Sequence, residues 1–269
     1  MKSVPARLYT KKYYLGSCRG FEEFLKGGIS ERLLYAFSLA NLKKGMQILD
    51  IGSGRGELVV KCAEAGVSAK GIDYSQAAVE IAKKGLKRMD RKVVKRILIE
   101  KMNAKKISYP DNSFDVIFMI DVAEHLYPEE LRQVFMGIKR ALKPDGRVII
   151  HTPNAWLIKL ITFLTQVFFR WEGHPGHVNE QSFFSLRREL KFFGGRKRIF
   201  FRPRKKCFSE IAGSVKNLPF WTVRLAGLLD RIWENKFLSF LIYCTPLVFF
   251  LGTDLWAIVE LSKKDKLLK

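Results

Sequence analysis

An apolar run at 46–51 passes directly into Gly52-Ser53-Gly54-Arg55-Gly56, and residues 57–65 then follow a helical pattern. A strand that turns into a helix through glycines brings backbone close to a ligand at the carboxyl edge of a sheet. A side chain there would block the approach or forbid the turn. Within 57–65, Leu58, Cys62 and Ala65 share one helix face, and Gly66 stands where a C′ cap belongs. The spacing is G-x-G-x-G rather than the G-x-G-x-x-G of dinucleotide enzymes, which disfavours a nicotinamide reductase. Taken alone, the loop is equally an ordinary strand-to-helix turn.

The same alternation continues for about a hundred residues. Strands are expected at 67–73, 94–102, 114–121 and 147–151, with helices at 75–89 and 128–142 and a turn at Lys143-Pro144-Asp145-Gly146. Strands separated by helices of this length pair in parallel through right-handed crossovers, which gives a doubly wound α/β sheet. Asp73 closes the second strand, 19 residues beyond Gly54. A Rossmann-like site puts a carboxylate on ribose hydroxyls at that place. The competing role is a helix N-cap, which Ser75 can fill instead.

Four segments in order, ILDIGSGRGELVV (48–60), GIDYS (71–75), YPDNSFDVIFMIDVAEHL (109–126) and LKPDGRVIIHTPN (142–154), resemble the motifs of class I S-adenosylmethionine-dependent methyltransferases. The similarity is greatest to the small-molecule group that includes ubiquinone-biosynthesis enzymes. It covers 33–154 well and 176–193 more loosely. It implies a Rossmann-like, mostly parallel seven-stranded sheet with a helical insertion near the C-terminus, and S-adenosylmethionine as cofactor. The implied division is an N-terminal helical cap (1–44), a cofactor-binding core (45–154) and an acceptor-side and lid region (155–269) that also holds the last strands. Asp50, Gly52, Ser53, Gly54 and Gly56 then face the methionine part. Asp73 holds the ribose, Tyr74 lies near the adenine, and Asp121 and Val122 sit beneath the methionine. Asn103-Ala104 occupies the place of an Asp-Ala pair that contacts the adenine amino group; an Asn oxygen still accepts that bond without the charge. Tyr14 resembles aromatic residues that close over the cofactor.

The implied reaction is in-line displacement at a methyl carbon on a sulfonium, where positioning supplies up to roughly 7–11 kcal/mol. A hydroxyl acceptor gains a further ~10²–10⁴-fold from a base. His125, after the fourth strand, and His177, in the loop Gly-His174-Pro-Gly-His177-Val-Asn, are the candidates. A structural histidine bonded to backbone is the plain alternative for His125. No complete ligand set is visible, so no metal is assigned.

Beyond Asn154 the rhythm changes. Residues 156–169 are strongly apolar, 180–192 read as a helix, 198–202 and 254–261 as strands, and 208–252 are rich in aromatic and aliphatic side chains. The apolar run 237–252 is interrupted by Pro246 and is shorter than the about 20 residues a spanning helix needs. The chain carries 48 Lys and Arg against 26 Asp and Glu, a net charge of +22. Ten of the basic residues fall within 187–206, beside the single acid Glu189. Such an excess suits an anionic membrane surface next to a lipid-linked acceptor, or RNA. RNA or protein ranks second as acceptor, because neither a recognition domain nor an N/D-P-P-Y motif is visible. A binding module with a degenerate pocket is a third reading, opposed by the intact loop and Asp73. Cys18, Cys62, Cys207 and Cys244 are widely spaced, which fits a reducing compartment. Residues 1–16 lack the apolar core of a signal peptide. The expectation is a cytoplasmic enzyme, peripheral on the inner face of a membrane, acting at oxygen on a small or lipid-linked acceptor.

Overall fold

The computed structural model describes residues 3–169, 176–205, 207–214, 220–262 and 264. Its strands are β1 (Gln47–Ile51), β2 (Ser68–Asp73), β3 (Ile97–Lys101), β4 (Phe114–Ile120), β5 (Leu142–Pro153), β6 (Arg196–Arg202) and β7 (Asp254–Glu260). They form a seven-stranded sheet in the order β3-β2-β1-β4-β5-β7-β6. The strands β1 to β5 pair in parallel, and β7 runs antiparallel to both β5 and β6. This is the mostly parallel Rossmann-like sheet expected from the sequence. Chain order reverses between β1 and β4, and a crevice opens outside the carboxyl ends of strands at such a switch point.

The helices are α1 (Phe21–Leu25), α2 (Glu31–Leu39), α3 (Glu57–Glu64), α4 (Gln76–Leu86), α5 (Arg91–Val94), α6 (Pro128–Ala141), α7 (Ala155–Phe169), α8 (Phe183–Leu190), α9 (Cys207–Ser214), α10 (Phe220–Trp233), α11 (Lys236–Tyr243) and α12 (Val248–Leu251). Alternate residues of β4 enter two different cores. Val116 and Phe118 pack with Leu58, Val59 and Cys62 of α3, while Ile117 and Met119 pack with Leu131, Val134 and Ile138 of α6. Burial on both faces explains why β4 reads as an unbroken apolar run. Ser75 caps α4 by accepting from the Ala78 N–H, which frees Asp73 from that role.

Some boundaries differ from the sequence reading. Strand β3 begins at Ile97, because Asp90 accepts from the Lys92 N–H and starts the short α5 where a strand was expected. The turn expected at 143–146 is instead the irregular start of β5. The register with β4 shifts there, and Asp145 takes φ +63°. The helix expected at 180–192 is α8 followed by a single turn at Lys191–Phe193. The apolar stretch 208–252 resolves into α9 to α12, the C-terminal helical insertion. His174, Lys206 and residues 263 and 265–269 lie outside the described residues. Among the described residues, no helix is long and apolar enough to cross a membrane.

Candidate active site

The crevice between β1 and β4 is a cavity, and the glycine loop forms one of its walls. Asp50, Gly52, Ser53, Gly54, Asp73, Tyr74, Asn103, Ala104, Asp121 and Val122 all line it, as does His125. Gly56 is not on the wall. It is the N-cap of α3 at φ +84°, where an added Cβ would stand 3.3 Å from the Ala82 Cβ, so a glycine there serves helix entry. At Gly52, with φ +71°, an added Cβ would meet Val122 Cγ2 at 2.5 Å. Glycine therefore lets the loop after β1 approach Val122, two residues beyond β4, more closely than any side chain would allow.

Asp73 is buried and joins the glycine loop to the end of β2. Its Oδ2 accepts from the Gly54 N–H at 3.0 Å and its Oδ1 from the Ser75 N–H at 2.8 Å. Burial lifts its carboxyl to about 6, and these bonds oppose the rise. The Tyr14 hydroxyl and the Tyr74 backbone also act on this carboxylate, so a bound diol would share or displace those contacts. Asp50, also buried, is held well above the usual carboxylate range by burial, with Glu57 and Asp73 adding repulsion. A cationic ligand group beside it would relieve that cost. The buried Ser53 hydroxyl and Arg32 Nε have no hydrogen-bond partner. A pocket with diol-accepting and cation-favouring acids, a glycine cradle and orphaned donors fits S-adenosylmethionine. Asn103 Oδ1 accepts from the Lys105 N–H at 3.0 Å, which uses one of the two lone pairs of that oxygen.

The N-terminal segment supplies the cover. Tyr9, Tyr13 and Tyr14 line the cavity, and an added Cβ on Gly54 would lie 3.6 Å from the Tyr14 ring. Tyr9 packs edge-on to Tyr74, with centroids 5.5 Å apart. Arg55 ties this cover to the glycine loop. Its guanidinium donates to the carbonyls of Tyr14 (2.8 Å) and Arg19 (3.0 Å) and to Glu57 Oε1 (2.7 Å).

Asp121 sits at φ +55° at the end of β4. It pairs with Arg32 Nη1 at 2.6 Å and His151 Nδ1 at 2.5 Å. Burial opposes its ionisation, but Arg32 and His151 outweigh burial and hold the carboxyl well below the usual range. Its carboxylate is therefore committed to protein partners, although the residue lines the cavity.

His125 Nδ1 lies 2.9 Å from the Gly176 carbonyl and 2.9 Å from the Tyr9 hydroxyl. A carbonyl only accepts, so Nδ1 carries the hydrogen and Nε2 keeps its lone pair. Burial and the neighbouring His177 lower the imidazole to about 4, which leaves it neutral at ordinary pH. His177 is behind it rather than on the wall, with ring centroids 5.0 Å apart. Glu124, His125 and His177 each offer one donor atom within 4.8 Å of the others. Burial lifts the Glu124 carboxyl to about 7.

A methyltransferase-domain family model matches residues 42–183, more than half of the chain. The chain belongs to the class I S-adenosylmethionine-dependent methyltransferases. The methyltransferase is 35% identical over 125 residues to phosphoethanolamine N-methyltransferase 2 of Caenorhabditis elegans, covering 46% of this chain and 28% of that protein. It is 32% identical over 127 residues to a ubiquinone biosynthesis O-methyltransferase of Actinobacillus pleuropneumoniae, covering 47% and 53% respectively. The chain thus spans about half or less of the length of these curated relatives. Among solved structures, its fold is similar to an S-adenosylmethionine-dependent methyltransferase from Archaeoglobus fulgidus, with a TM-score of 0.56, 21% identity, and coverage of 89% of this chain and 97% of that one. It is also similar to Haemonchus contortus phosphoethanolamine N-methyltransferase 2 in complex with S-adenosyl-L-methionine, with a TM-score of 0.59, 16% identity, and coverage of 95% and 57%.

Sequence reasoning passed over several residues and pairings in and around this pocket. Arg55 lies between two glycines of the loop, and an arginine inside so tight a turn was the available signal. Glu124 stands next to His125 but reads as an ordinary surface acid until its burial is known. Arg32 and Asp121 are too far apart in the chain for spacing to link them.

Proposed function

We propose that this methyltransferase transfers a methyl group to a hydroxyl of a small or lipid-linked acceptor, working as a peripheral protein on the inner face of a membrane. The observation that carries the reading is a single cavity lined by the glycine loop, Asp73 and His125, whose imidazole is held neutral. Bound S-adenosylmethionine supplies an electrophilic methyl carbon on a sulfonium. Asp73, with Tyr74 and Asn103-Ala104 nearby, binds the nucleoside part. Asp50 and the Gly52–Gly54 backbone bind the amino-acid part, and Asp121 and Val122 form the floor beneath it. Residues 1–44 cover the cofactor, 45–154 hold it, and 155–269 shape the acceptor side. His125 takes the acceptor proton, and Glu124 with His177 behind it takes up the resulting charge. Oxygen as the methylated atom is supported by the likeness to the ubiquinone biosynthesis O-methyltransferase.

The test pairs calorimetry of S-adenosylhomocysteine binding with methyl transfer from labelled S-adenosylmethionine into a lipid extract and into total RNA. Binding that Asp73→Ala abolishes, with label in lipid hydroxyl ethers, supports the reading. Label confined to RNA, which the net charge of +22 would favour, would replace the acceptor class while leaving the cofactor site intact.

A further inference from the structure

Helix α10 is packed inside out. Its buried positions are Thr222, Ala226 and Asp230, one every fourth residue, and Asp230 accepts the N–H groups of Phe208 (2.8 Å) and Ser209 (3.0 Å) at the start of α9. The small and polar stripe therefore faces the protein. Trp221, Val223, Leu225, Leu228 and Ile232 face outward. A helix on a water-exposed surface shows the reverse arrangement. Helix α11 buries Ile242 but likewise leaves Phe237, Phe240 and Leu241 exposed. Phe220 and Phe237 are each 72% exposed; two aromatic side chains at that exposure alone present roughly 300 Å² to solvent.

The apolar face is continuous. Helix α11 packs on α10 and on α12, and α12 packs on α7, where the Trp156 and Phe250 rings meet at 5.6 Å. Patches beyond a few hundred Å² on a monomer mark an interaction surface. Charge then selects the occupant. The exposed ionic groups of α10, α11 and the link between them are Arg224, Arg231 and Lys236 against Glu234. The Arg224 guanidinium lies over the Phe220 ring at 4.8 Å, and the Lys159 ammonium over the Trp156 ring at 6.0 Å. Cations set among exposed aromatics match the boundary between head groups and acyl chains. A second copy of a chain carrying +22 is repelled at the same surface where an anionic lipid is attracted. No described helix is able to span, so the face lies in the plane of one leaflet.

We propose that α10, α11, α12 and the outward side of α7 form a monotopic docking face that seats in the head-group region of an anionic bilayer. This rests on the lipid-linked acceptor reading for its purpose, and on the exposed surface alone for its existence.

The test is co-sedimentation of the full chain with vesicles of phosphatidylcholine alone and of phosphatidylcholine with phosphatidylglycerol. The expected result is binding that is stronger on the anionic vesicles and only partly reversed by high salt. The double variant Phe220→Glu/Phe237→Glu should lower partition by roughly tenfold or more, with unchanged calorimetric affinity for S-adenosylhomocysteine. Vesicle binding that persists when the wild-type chain shows no cofactor affinity would remove the enzyme reading and keep the docking face. The proposal is overturned if wild-type protein stays in the supernatant with both vesicles, or if salt alone strips it and the variant binds equally. A concentration-dependent dimer abolished by the same variant, with no vesicle binding, would assign the face to a second copy instead.

Discussion

The backbone N–H of Gly54 donates to Asp73 Oδ2 at 3.0 Å, so the loop after β1 and the acid ending β2 are one hydrogen-bonded unit. Burial raises Asp73 from its ordinary 3.8 to about 6. A raised carboxyl favours the protonated folded protein, and the stability it contributes is lost as pH rises through about 6. A diol that bonds to the ionised form offsets this cost. Affinity for S-adenosylhomocysteine should therefore weaken as pH falls through about 6. Asp73→Asn should flatten that limb and lose about 1.5–3 kcal/mol of binding at pH above it. Calorimetry across this range decides the matter, and a wild-type affinity independent of pH would count against ribose binding by Asp73.

Arg55 is the bolt of the N-terminal cover. Lysine keeps the charge but loses the planar fork that reaches the Tyr14 and Arg19 carbonyls and Glu57 together. Arg55→Lys should speed proteolysis within the first 20 residues and raise the dissociation rate of S-adenosylhomocysteine roughly tenfold, the loss of about 1.4 kcal/mol. Stopped-flow release and limited digestion read both effects. Unchanged release alongside faster digestion would show that the cover does not retain the cofactor.

At Gly52 the backbone conformation and the Val122 methyl both oppose a side chain. Gly52→Ala should cost roughly 1–2 kcal/mol from the left-handed conformation alone, with cofactor affinity falling more than stability because the loop is displaced into the site. Thermal melting and calorimetry on the same sample compare the two losses. A variant that melts early yet binds normally would reduce Gly52 to a turn residue.

The sheet was legible because each strand of the first half is bounded by its own signal. Glycines follow β1, Asp73-Tyr74-Ser75 follows β2 with a cap, and Pro128 opens α6. The cavity wall was legible for the same reason, since its residues sit at fixed places on those strand ends. Gly56 stands at helix entry rather than on the cavity wall, and a helix-entry glycine and a ligand-contact glycine look identical in sequence. The pocket's other side was not legible. Arg32 meets Asp121, and His151 joins Asp121 to Asp254, only after four separate elements pack together. The outward face of α10 was not legible, because this helix is apolar outward and small or polar inward, the reverse of a water-exposed amphipathic helix.

Glu124 provides the sharpest handle on the acceptor side. It is 2% exposed, and its Oε2 accepts from the Thr152 hydroxyl at 3.0 Å. Burial lifts its carboxyl from 4.5 to about 7, Asp121 pushes it further, and His177 opposes the rise. The folded state therefore keeps a proton that the unfolded chain releases. The stability from this group is full below 4.5 and lost as pH rises through about 7. Glu124→Gln removes the titration, so its melting temperature relative to wild type should climb between pH 5 and 8. If ionised Glu124 supports His125, the rate of methyl transfer in the wild type should rise with pH through about 7. The variant should lose that limb and about 10²-fold in kcat. A purely structural glutamate would shift the melting curve in the same way and leave the rate profile unchanged.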